Sequence, residues 1–210
     1  MTVQSADRVR RARLPLVVRG GAVLAASLLL GGLTSCAQGL LPEWATSFAN
    51  SSSGWTLLTA VLVFAARAAW GMSAVLGAGS FVLLTVGYAM VSTMRGFYYD
   101  PMFFSVIGVL VGPFVGVAAC WLRDRGLRAA LGTAALAGIG IGDALYGLTV
   151  VASTTSPVYW GAIGVLSLAL IAGMLVRRIR GVVPVVIAVL GSAAVAAAYL
   201  LAFRALSGAP

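Results

Sequence analysis

Histidine and lysine are absent from this 210-residue chain, and acids are scarce, five in all. Without histidine it lacks the commonest general base and the commonest metal ligand. Its two cysteines, Cys36 and Cys120, fall in different apolar runs. The topology derived below puts them toward opposite membrane faces, so neither a disulfide nor a metal site is expected. Charge of either sign is thin, 9% of residues against about 25% in a typical soluble domain. A chain so short of polar material cannot cover a water-facing surface, and the solvent that suits it is lipid. No Walker motif, dinucleotide fingerprint, nucleophile elbow or HExxH occurs, so neither an enzyme nor a cofactor is expected.

What the chain does have is apolar sequence, 61% of its residues, with a mean hydropathy of +1.04. The net charge of +9 comes entirely from arginine. The arginines stand in short clusters between apolar runs. That is the pattern of orientation signals and of attraction to anionic headgroups. No basic domain is present, which argues against nucleic acid as a partner.

The length allows one bundle. Residues 1–19 read as a basic cytoplasmic arm, 20–204 as a single transmembrane helical domain and 205–210 as a short tail. Seven spans are predicted: 20–41, 55–70, 72–92, 102–122, 129–151, 158–176 and 182–203. The second is short, bracketed by Trp55 and Trp70, with Arg67 positioned to snorkel. Were it to merge with the third around Gly71, six spans would remain. With the N-terminus inside, twelve arginines lie on the cytoplasmic side, and only Arg95 and Arg204 lie outside. That bias sets the orientation. The fold class is therefore all-α, a polytopic transmembrane bundle.

Leu33-Thr34-Ser35-Cys36 matches a lipoprotein cleavage box after a basic and an apolar region. However, the apolar run continues to Leu41 and many spans follow, so a lipid on Cys36 would anchor nothing further. Asp143 is the one acid deep inside a predicted span. A charged carboxylate there costs at least about 2.5–3.5 kcal/mol, so it must face the bundle, a cavity or a partner. Gly140 and Gly147 share its face. Two readings stand: a site for a cation or proton, or a hydrogen-bonded structural acid. Gly108, Gly112 and Gly116 recur every fourth residue, a face for close helix packing. Ala22 and Ala26 form a similar small pair on the first helix. Gln38 and Trp55 flank the polar segment 42–54, which contains Asn50 and caps the outer end of the first helix.

Gly32-Leu33-Thr34-Ser35, Gln38, Leu41-Pro42, Ala49-Asn50-Ser51, Trp55 and Gly87-Tyr88 resemble an uncharacterised family of actinobacterial integral membrane proteins. The resemblance covers residues 20–176, is specific over 31–55, and leaves the seventh run as an addition. It implies a bacterial plasma-membrane location and a topology, and no activity. A looser likeness is to the S components of energy-coupling-factor transporters, which carry an alanine-xxx-alanine coupling face on their first helix. Ala22 and Ala26 would match it and imply a membrane-protein partner. The expected function is a small-molecule-binding or permease-type subunit with an outward-facing site under 42–54, lined by Gln38, Asn50, Trp55, Tyr88 and Asp143. The alternative is a structural or assembly protein that packs with partners through its glycine faces.

Overall fold

The computed structural model describes residues 15–49 and 51–207. The described residues form seven α-helices and no strand. The helices are α1 (Leu16–Leu40), α2 (Ser52–Ala66), α3 (Trp70–Met94), α4 (Met102–Trp121), α5 (Leu127–Thr149), α6 (Pro157–Arg177) and α7 (Val182–Ser207). A six-residue 3-10 helix, Glu43–Phe48, lies between α1 and α2. Six of the α-helices are long and apolar enough to cross a membrane, so this is a multi-pass helical membrane protein.

Most of the expected arm, residues 1–14, and residues 208–210 of the tail lie outside the described residues. Residues 16–19 of the arm are helical. Pro15 is the extended N-cap of α1, at ψ 148°, and Leu16 to Arg19 form the first turn. Proline ahead of a helix loses no hydrogen bond the helix would have used.

The second run departs most from expectation. Trp70 opens α3 instead of closing α2, and α2 is only 15 residues long. Arg67 breaks it by adopting a left-handed conformation, φ 52° and ψ 37°. Ala69 is extended, and α3 starts at once. Arg67 therefore caps a helix end and does not sit inside a span. At about 1.5 Å per residue α2 measures about 22 Å, short of the roughly 30 Å hydrocarbon layer.

Contacts between helices fix the directions. Ser27 meets Ser80, with 2.7 Å between hydroxyls, and Ser35 meets Ser92 at 2.8 Å, so α1 and α3 run parallel. The chain returns between them through α2. Glycine lets these backbones touch: Gly31 lies on the Leu84 carbonyl and Gly87 on that of Leu28. α4 runs against α3, with Gly112 and Gly116 set against Gly77 and the Ser73 carbonyl, and Gly108 against Phe81. α5 pairs with two neighbours. Gly138 and Gly142 receive Val195 and Tyr199 of α7, while Gly140 and Gly147 receive Ser167 and Trp160 of α6. In lipid no hydrophobic force drives helices together, so such close contact supplies the attraction.

Candidate functional site

The short helix α2 is the centre of the polar chemistry. A helix with both ends inside a bundle leaves its first N–H and last C=O groups unpaired, and side chains must satisfy them. At the N-terminus Ser51 is the cap, and its hydroxyl accepts from the Gly54 N–H at 3.2 Å. Asp143 supplies the rest. It is 2% exposed and sits about 9 Å before the end of α5. Its Oδ2 accepts the Ser53 N–H at 3.0 Å and the Ser53 hydroxyl at 2.5 Å. Its Oδ1 accepts the Tyr199 hydroxyl of α7 at 2.7 Å. Since Ser53 gives its proton to the carboxylate, its oxygen accepts from Tyr159 of α6, 2.7 Å away. Asp143 thus places an acid at the positive end of the α2 dipole and ties α2, α5, α6 and α7 together.

The other end of α2 meets cations. Arg19 donates to the Ala66 carbonyl at 2.7 Å. Arg123 donates to those of Phe64 and Ala68, at 3.0 and 2.6 Å, with its guanidinium over the Phe64 ring. Acid at the start and arginine at the end are the arrangement the helix dipole favours.

A second cluster faces the other way. Ser53 and Trp55 are two residues apart, so they point to opposite sides of α2. Trp55 packs on Tyr88, with ring centroids 5.7 Å apart, and Tyr88 packs on Tyr99 at 4.9 Å. The Tyr88 hydroxyl donates to Gln38 Oε1 at 2.9 Å, and Gln38 Nε2 donates to the Ala49 carbonyl at 2.9 Å. This latch holds the polar segment down on α1 and α3. The Tyr99 hydroxyl, in the α3–α4 loop, is pushed up to about 12, chiefly by burial and then by Tyr88 and Asp100.

Of the residues expected to line one site, Gln38, Trp55 and Tyr88 come together, and Asp143 belongs to a separate network. Asn50 lies outside the described residues. Gly108, Gly112, Gly116, Gly140 and Gly147 all face neighbouring helices of the same chain. Ala22 is exposed and Ala26 half-buried. The lipobox residues are in helical conformation within α1, and Ser35 is buried against Ser92. Cys36 and Cys120 are both free thiols near the C-terminal ends of α1 and α4.

A crevice of about 270 Å³ opens beside this scaffold, between α2, α5 and α6. Its floor includes Ala60, Ile139 and Gly140, and its rim carries Val61 and Leu166, 56% and 49% exposed. It opens sideways, through the apolar wall of the bundle. The lining hydroxyls are engaged within the protein: Ser53 with Asp143, Thr56 with the Ser52 carbonyl at 2.9 Å, Ser167 with that of Ile163 at 2.8 Å.

Sequence reasoning missed Ser53, Tyr159, Tyr199, Arg19 and Arg123. Tyr199 carried a usable signal, as a lone phenol in the alanine-rich seventh run. Ser53 did not, because any serine of the 51–53 run looks alike.

A family described as "Family of unknown function (DUF6518)" matches residues 10–208, so the chain belongs to it. The match includes α7, which is therefore part of the family's shared length and not an addition to it. No curated protein and no solved structure matches, and the likeness to energy-coupling S components gains no support from either comparison.

Proposed function

We propose that this member of the family is a small-molecule-handling protein of the bacterial plasma membrane, and not an enzyme. Its N-terminus is cytoplasmic, and its guest enters from the bilayer. The observation that carries this reading is the crevice between α2, α5 and α6, about 270 Å³ in volume and open through the lipid-facing wall. That volume falls just below the roughly 300–1,000 Å³ of most ligand pockets. The outward-facing polar site under 42–54 is the weaker candidate. Gln38 and Tyr88 are paired with each other, and the Asp143 oxygens already accept three donors. In this reading Asp143 is a positioning residue that fixes α2 as one wall of the crevice. An assembly role through the glycine faces is less favoured, because those faces are occupied inside the chain.

The test is organic extraction of protein purified from its native host membrane, followed by mass spectrometry. Ala60→Phe, which fills the crevice floor, is expected to lose a compound that the parent and Asp143→Asn retain. Equal extracts from the parent and Ala60→Phe would refute the reading.

A further inference from the structure

The crevice has a direction. Ser53 lies at one end and Phe64 at the other, 11 residues apart on α2 and so separated by about 16 Å. Spread over that length, 270 Å³ corresponds to a channel of about 17 Å² in section. Apolar atoms in contact sit about 4 Å apart, so one extended hydrocarbon chain needs a section of about 16 Å². Because the Ser53, Thr56 and Ser167 hydroxyls are engaged within the protein, the walls offer a guest hydrocarbon contacts and few hydrogen bonds.

The two ends differ in charge. At the Phe64 end, Arg67 follows three residues later and is exposed. On α6 the lining residues Ile163, Ser167 and Leu170 continue at helical spacing to Arg177, also exposed. Neither the Arg67 nor the Arg177 guanidinium makes a hydrogen bond or ion pair among the described residues. The crevice mouth is continuous with the apolar wall that the bilayer covers, since Val61 and Leu166 belong to both.

Resting on the proposed function, we propose that the guest is an anionic phospholipid, one acyl chain in the crevice and its phosphate between Arg67 and Arg177. The arginines lie on the side assigned to the cytoplasm, where anionic lipid attracts basic residues. The chain then points toward Ser53 and the Asp143 network at the far end of the groove.

The full-length protein is reconstituted in nanodiscs of equal phosphatidylglycerol and phosphatidylcholine, then extracted in mild detergent for native mass spectrometry. The parent is expected to retain one phospholipid, with phosphatidylglycerol in excess. Each arginine should contribute a preference of roughly fivefold. Arg67→Gln with Arg177→Gln should bring the two lipids to near parity. Both side chains are exposed, so folding is unaffected. Val61→Trp with Leu166→Trp, at the exposed apolar rim, should reduce total retained phospholipid about tenfold, because added bulk there fills the mouth. Equal retention of both lipids by the parent, or undiminished retention by the tryptophan variant with unchanged melting, overturns the proposal. A non-lipid guest in the crevice would overturn it and leave the small-molecule reading standing. An extract and a spectrum both free of any guest would remove the two together.

Discussion

Replacing Asp143 by leucine tests whether the acid holds α2 in place. Three donors converge on the carboxylate: the Ser53 N–H, the Ser53 hydroxyl and the Tyr199 hydroxyl. Without it the Ser53 hydroxyl can turn back to Tyr159. The Tyr199 O–H has the Ser52 hydroxyl within reach, so only the Ser53 N–H has no such recourse. A buried donor left unpaired costs about 1–3 kcal/mol, so the loss is about 2 kcal/mol. Removing an acid from a membrane interior returns roughly 2.5–3.5 kcal/mol, which would hide that loss in a comparison with wild type. Asparagine provides the better reference. It also removes the charge, yet its carbonyl can accept from Ser53 and its amide can donate to the Tyr199 oxygen. The leucine variant is therefore expected to be less stable than the asparagine variant by about 2 kcal/mol. Reversible unfolding in mixed micelles titrated with sodium dodecyl sulfate measures the difference. Amide exchange at Ser53 and Gly54 should quicken in the leucine variant alone. Equal stability of the two variants, with Ser53 exchange unchanged, would show that the network does not hold the helix.

Other outcomes follow from the same contacts. Arg123→Lys should cost about 1–2 kcal/mol, because two nitrogens reach separate carbonyls of Phe64 and Ala68 and a single ammonium cannot match that fork; the same unfolding titration reads it. A Cβ at Gly147 would fall within the Trp160 ring, so Gly147→Ala should destabilise by about 1–3 kcal/mol. Gly161→Ala, with open space around it, should be neutral or stabilise α6 by up to about 1 kcal/mol. In a difference titration of tyrosinate absorbance between parent and Tyr99→Phe, the Tyr99 step should fall near pH 12 and not at the usual 10. The folded value is raised, so the unfolded chain gives up its proton first. The contribution of this tyrosine to stability is complete below pH 10 and is lost as pH rises through 12.

The helices α4 to α7 were legible as apolar runs to within about two residues, except at the end of α7, because hydropathy over such lengths reads the solvent directly. Glycine faces were legible on α4 and α5, since small residues three or four apart share one side of a helix, but none was apparent on α6 or α7, and Gly138 and Gly142 were not singled out. The end of α2 was not. Trp70 looked like its aromatic border, and only the left-handed turn at Arg67 shows that the helix stops four residues earlier. Apolar composition carries no trace of one backbone dihedral.

Asp143 marks the same limit from the other side. Its position in an apolar run determined that it must be buried and must find partners, because lipid offers none. Which partners it finds depends on where the chain brings Ser53, Tyr159 and Tyr199, residues 90, 16 and 56 positions away along the sequence. The sequence by itself determined a membrane bundle, its smooth faces and one acid that needs satisfying. Only the packing of α2 against α5, α6 and α7 decided that the acid caps a short helix. The same packing leaves a lipid-facing crevice beside that helix, because pairing energies of a few kcal/mol between distant residues leave no local signature in composition or period.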